Sequence, residues 1–305
     1  MIVRPRPKAW ELLFFWRLSI LPQIAGQIAT VLVFATGVVL LERRYPAPFR
    51  GWNVAPFTLL GIALSIFLGF RNNACYDRWW EARRQLGALI GEMRSLARIA
   101  LALPGGDRAR RERIVHAAIA YTYALMAHLR GDSMPEEVGR DLPGDTDTTA
   151  PSRLLNQPDA MLRALAAEYS AMLADGEIGE PVWRTFEERV TAFAAIQVAC
   201  ERIKGTPAPF TYTLLLHRTA YMFCLLLPFS LVNTLGYATP VFCGVVAYAF
   251  FGLDALADEL EEPFGPALNA LPLTAMARTV EISLLEALGA AEIPPPLPPQ
   301  DSVLR

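Results

Sequence analysis

The sequence predicts an all-α, polytopic membrane protein, and three observations carry that prediction. Hydrophobic residues make up 53% of the 305 residues and charged residues only 19%. The mean hydropathy of +0.29 is high for a water-soluble globule. Four windows are apolar and long enough to cross a bilayer, which takes about 20 residues as helix. Elsewhere apolar residues recur at helical spacing, and the alternation of a half-buried strand is nearly absent.

The first window is "ILPQIAGQIATVLVFATGVVLLE", residues 20–42. The preceding "MIVRPRPKAWELLFFWRLSI" is basic and then apolar. Its apolar character runs on past residue 40 without a small-residue cleavage site, so a retained first span is expected. The second window, 54–70, is short but continues as helix. The third, 212–232, carries His217 and Arg218 near its start. Charge at such a place faces protein or water, and His217 is expected to bond a carbonyl or an acid. The fourth window is 235–256.

Lys and Arg set the orientation. Arg4, Arg6, Lys8 and Arg17 precede the first window, and Arg71, Arg78, Arg83 and Arg84 follow the second. The connection "NTLGYATP" has no basic residue. Both termini are therefore expected on the cytoplasmic side of the cell inner membrane. Arg43, Arg44 and Arg50, in the first hairpin loop, run against that pattern.

The chain divides into a cytosolic segment (1–19), two spans (20–70), a helical cytosolic region (71–211), two further spans (212–256) and a cytosolic C-terminal segment (257–305). Helices are expected over 77–103, 107–131, 158–175 and 180–204. Residues 131–159 are rich in Pro, Gly, Asp and Thr and read as a mobile loop. The tail "IPPPLPPQDSVLR" reads as extended.

Several functions are excluded. A net charge of −2 gives no nucleic-acid surface. The four cysteines form no CxxC pair and read as buried reduced thiols, and the three histidines are far apart, so no metal site is expected. No GxGxxG, GxxxxGK, HExxH or GxSxG occurs, so neither an enzyme nor a cofactor is expected. A coupled transporter would show internal repeats or broken helices. A non-conducting membrane scaffold is less firmly excluded.

One stretch stands apart. In "GIALSIFLGFRNNACYDRWWEARR", residues 61–84, Ile62, Ile66, Phe70, Asn73 and Asp77 share a helical stripe roughly 80° wide. Trp80 and Glu81 lie at its margins, and Arg71 and Arg78 fall on the other side. The stripe is apolar at membrane depth and polar to acidic below. An ordinary packed face would look like this. So would a pore lining, in which apolar rings gate by dewetting and acidic rings concentrate cations. A pore lining demands an oligomer, most simply a cyclic one.

The segment "FLGFRNNACYDRWWEARR" resembles the signature that follows the pore neck in bestrophin ion channels. "CERIKGTPAPFTYTLLLHRTAYMF" (200–223) and "DELEEPFGPALNALPL" (258–273) resemble segments flanking that family's third and fourth spans. The order and spacing fit over roughly residues 1–285, and "IVRP" fits bacterial members. The resemblance implies a homopentamer around one central pore, with four transmembrane helices per subunit and a large helical cytosolic region. It implies a neck of three apolar rings, which by motif position are Ile62, Ile66 and Phe70.

The resemblance also implies a second aperture at the cytosolic exit. Counting back from "CERI" places it at Pro181, beside Ile178 and Val182, where an aliphatic residue is usual in the family. Eukaryotic members bind Ca²⁺ through acids just after an "NPFG"-like element. Here "EEPFG" is followed by no acid until Glu281, so Ca²⁺ gating of that kind is not expected. Glu261 and Glu262 read as solvated or paired with Arg. Eukaryotic relatives conduct anions and bacterial ones are linked to monovalent cations. The stripe, with Asn73, Asp77 and Glu81 in the vestibule, favours monovalent cations. An anion channel of the same architecture is the alternative.

Overall fold

The computed structural model describes residues 1–3, 10, 16, 18–49, 51–103, 107–133 and 155–304. Most of the expected loop at 131–159 and of the segment 1–19, with Arg4, Arg6, Lys8, Arg17 and Arg50, lies outside them. The described chain is helical: α1 (Leu21–Arg44), α2 (Val54–Ala102), α3 (Arg108–Arg130), α4 (Gln157–Ala174), α5 (Glu180–Gly205), α6 (Phe210–Leu235), α7 (Thr239–Glu261) and α8 (Leu273–Leu288). Among the described residues β-structure is confined to isolated bridges. The helical fold class follows; the expected helices 107–131, 158–175 and 180–204 match α3–α5 to within a residue or so at their ends, while 77–103 is the second half of α2, which begins at Val54.

Among the described residues three stretches are long and apolar enough to cross a membrane: Leu21–Arg44, Val54–Ala102 and Phe210–Glu261. The last contains α6 and α7, joined by a 3₁₀ turn at Gly236–Ala238. Gly236 takes φ +52° there, a conformation that costs glycine little. α2 runs unbroken for 49 residues. At 1.5 Å per residue it is about 73 Å long, more than twice a hydrocarbon core of about 30 Å.

Two compact units make up the chain. The first comprises Arg4–Trp79 and Pro207–Glu262. Its largest apolar cluster joins Ile24, Val31 and Ala35 of α1, Leu64 and Leu68 of α2, Ala220, Phe223 and Cys224 of α6, and Ala247, Phe250 and Phe251 of α7. Close approach of α1 and α7 is made possible by Gly244, where a Cβ would lie 2.8 Å from a Leu32 methyl. A second close contact places the Phe223 ring against Gly61.

The second unit comprises residues 1–3, Trp80–Thr206 and Pro263–Arg305. α3 is its centre. Asp107 caps it by accepting the Ala109 N–H, and Gly131 ends it in the left-handed conformation (φ +80°). From Ile114 to Ala127 every residue but His116 is buried. Alanines at 117, 118, 120, 124 and 127 let its neighbours approach on every side. The Tyr121 hydroxyl donates to the Phe193 carbonyl (3.1 Å) and Tyr123 to Glu281 (2.7 Å). The Arg189–Glu92 pair, at 2.6 Å, links α5 to α2 within this unit.

Two features differ from the sequence reading. α8 was not expected, yet Leu273, Met276, Ala277, Val280 and Leu284 form its buried stripe. The tail is irregular over 290–299 but does not simply trail away. Gln300 and Val303 exchange two backbone hydrogen bonds around Asp301 and Ser302, and the Val3 N–H donates to the Ser302 carbonyl (2.9 Å). All four cysteines are free and buried, as expected.

Candidate functional site

α2 has two faces in the first unit. Leu64, Leu68, Arg71 and Cys75 are at most 2% exposed. Ile62, Ile66 and Phe70 are 55%, 50% and 61% exposed, and Asn73 and Asp77 are exposed below them. At 100° per residue the two sets are centred about 170° apart. The described residues of this unit therefore pack together without the Ile–Ile–Phe line. Trp80, at the margin, is exposed as well.

Arg71 and Arg78 turn to α7. Arg71 is 1% exposed. Its guanidinium donates to Asp254 at 2.5 Å, to Asp258, and to Glu261 at 3.4 Å. Asp254 also bonds His217 Nδ1 at 2.7 Å, the acid partner expected for that histidine. Arg78 Nε donates to the Glu261 carbonyl (2.7 Å), and the Glu261 carboxylate accepts the Ala208 N–H (3.0 Å). Glu261 is thus paired with an Arg of another helix, as expected. A buried guanidinium must be matched by acids because an unpaired charge in a dry interior is costly.

Asp254 was missed by sequence reasoning. It is the single acid inside the fourth apolar window, and an acid at such a place asks for a partner. Nothing local names that partner, which lies 183 positions away.

The two vestibule acids differ. Asp77 has no ion-pair partner among the described residues. Glu81, in the second unit, pairs with Arg202 at 2.5 Å, so much of its charge is compensated. Pro181 is exposed in the first turn of α5, where its missing N–H costs nothing. Ile178 is only 7% exposed, and its N–H faces the Met172 carbonyl. Of the two aperture residues expected from the sequence, the single chain buries Ile178 and exposes Pro181. Among the described residues no three His, Cys, Asp or Glu side chains are grouped to hold a metal ion.

A helical protein with three apolar stretches long enough to cross a membrane among its described residues presents an exposed apolar line on one continuous helix, with Arg71 and Arg78 of that helix held by α7, a form that suits a channel. The family model of Bacterial/Fungal Bestrophin protein matches residues 1–286. The chain belongs to the bestrophin family; it is an ion channel and not an enzyme. It is 43% identical to a voltage-dependent anion channel-forming protein of Mesorhizobium japonicum, over 99% of this chain and 96% of that one. It is 37% identical to the like-named protein of Escherichia coli K12, over 96% of each. A crystal structure of a bacterial bestrophin homologue from Klebsiella pneumoniae superposes with a TM-score of 0.84 at 34% identity, covering 88% of this chain and all of that one.

Proposed function

We propose that five copies of this chain form a cyclic channel in the cell inner membrane. Each copy crosses four times, through α1, the start of α2, α6 and α7, with both termini in the cytoplasm. Residues 71–211 and 257–305 make the cytosolic part. Ions pass along the axis down their gradient, without a chemical step. The observation that carries this reading is the exposed line Ile62, Ile66, Phe70, set opposite the buried line Leu64, Leu68, Arg71 on one helix. A scaffold has no reason to leave that line uncovered. An axis built from several copies has one, because apolar rings form a neck that controls wetting. Asn73, Asp77 and Glu81 then line the vestibule and Pro181 the exit.

The relatives' names, anion channel-forming proteins, support anions as the permeant species. The pairing of Glu81 with Arg202 agrees with that, because it removes one of the two acids that would repel anions. A second reading, monovalent cations, rests on Asp77: exposed, without an ion-pair partner among the described residues, and on the face that carries the neck. Reversal potentials of the purified protein in a planar bilayer under a KCl gradient separate the two. Reversal near the chloride potential supports anions, and reversal near the potassium potential supports cations. A well-folded oligomer with no current, even as Ile66→Ala, overturns the channel reading.

A further inference from the structure

The far end of α1 is unlike the rest of the first unit. Val38, Val39, Phe49 and Val232 are buried together with Phe229 against them. Phe229 stacks on Phe49 (6.0 Å between centroids) and on Trp52 (5.2 Å). Asn233 Nδ2 donates to the Phe49 carbonyl at 2.7 Å and pins the 3₁₀ turn Ala47–Phe49. This rigid pad has an exposed aromatic rim of Tyr45, Trp52 and Tyr237. Tyr and Trp are the side chains favoured at the membrane–water boundary.

Arg43 and Arg44 sit on that rim. The Arg43 guanidinium carbon lies 3.8 Å from the centre of the Tyr237 ring, and that of Arg44 lies 5.4 Å from Tyr45. Neither has a carboxylate within ion-pair distance among the described residues. Within residues 33–57 and 228–240 the other described charged residue is Glu42. A ring stacked on one face of a guanidinium leaves its in-plane N–H donors free, and that fork matches a phosphate. Arg43 is 22 residues beyond Leu21, about 33 Å along the helix and just past a hydrocarbon core of about 30 Å.

We propose that this corner is a binding site for the phosphodiester of an anionic glycerophospholipid, held by Arg43 and Arg44 and flanked by Tyr237. It rests on the membrane reading of the first unit. It accounts for basic residues in the one hairpin loop where the positive-inside pattern disfavours them. There they are headgroup ligands, and orientation is set elsewhere.

The test uses the full chain in phosphatidylcholine nanodiscs with a titrated fraction of phosphatidylglycerol, with bound lipid counted by native mass spectrometry. Phosphatidylglycerol is expected to be retained over phosphatidylcholine. Each Arg contributes about fivefold, so R43Q/R44Q lowers retention about 25-fold. Tyr237→Phe is expected to keep it. Where the double variant fails to assemble, Tyr237→Ala, with its ring removed, is expected to show a loss of about threefold. Three results overturn the site: unchanged retention in the double variant, an equal loss in Arg108→Gln of the second unit, or displacement of the lipid by inorganic phosphate, which marks a free-anion site. Insertion without lipid preference overturns this site alone. A chain that enters no nanodisc overturns the membrane reading with it.

Discussion

Asp254 holds two partners at once, Arg71 at 2.5 Å through one oxygen and His217 at 2.7 Å through the other. Arg71 in turn answers to three acids, two of them one helical turn or less apart on α7. The pairing ties α2 to α6 and α7 directly beneath Phe70. Arg71→Leu leaves buried acids without their counter-charge and is expected to cost about 3–5 kcal/mol. Replacing Arg71 and Asp254 together by leucine is expected to cost less than Arg71→Leu alone. Thermal unfolding in detergent, followed by size-exclusion, measures both. Equal loss in the single and double variants would show that the pair does not act as a unit.

The neck reading makes a directional claim. Ile66→Ala shortens the middle residue of the exposed line without touching the buried one. Single-channel conductance is expected to rise, because a wider and less apolar ring wets more readily. An unchanged conductance in a correctly assembled variant would remove Ile66 from the gate.

Asp77 and Glu81 are expected to respond differently. Asp77→Asn removes an uncompensated charge and is expected to move the reversal potential toward the anion limit. Glu81→Gln removes a charge that Arg202 already answers and is expected to move it less. Bi-ionic reversal potentials of the two variants give the comparison. A larger shift for Glu81→Gln would put the vestibule charge at residue 81 instead.

Alkaline behaviour follows from Tyr123, which lies in α3, outside the apolar helices. Burial, together with the Glu281 carboxylate that its hydroxyl donates to, pushes its pKa up to about 12. A folded value above the unfolded one (about 10) gives a stability contribution that is full below about pH 10. It is lost as pH rises through about 12. Tyr123→Phe is expected to cost about 2 kcal/mol at pH 8, where a bond to a charged acceptor disappears, and to flatten the alkaline decline. Urea melts between pH 8 and 11.5 read both effects. A wild-type melt that does not weaken above pH 10 would refute the assignment.

Sequence legibility divided along physical lines. α3 and α5 were readable because their boundaries are local: Asp107 and Gly131 for one, Gly179 and Pro181 for the other. The Ile62–Ile66–Phe70 line was readable because one helix's periodicity carries it. Which face is covered was not, since it depends on Phe223 and Leu216 far along the chain. α8 escaped because its apolar stripe sits between the proline-rich "EEPFGPALNALP" and "IPPPLPP", whose turn signals mask it. Counting back from "CERI" reaches Pro181 with Ile178 beside it, but the count carries no sign that the Ile178 side chain is buried within the chain.

The enclosure of α3 sets a clock for the second unit. Its residues from Ile114 to Ala127 are wrapped by α4, α5 and α8, so solvent reaches their amides only when the surrounding helices part. Deuterium uptake along 114–127 is therefore expected to report opening of the whole unit, while α4 and the outer turns of α5 exchange through smaller local excursions. Slow exchange in this helix would make it the natural gauge of how any ligand, lipid or substitution elsewhere changes the integrity of that unit.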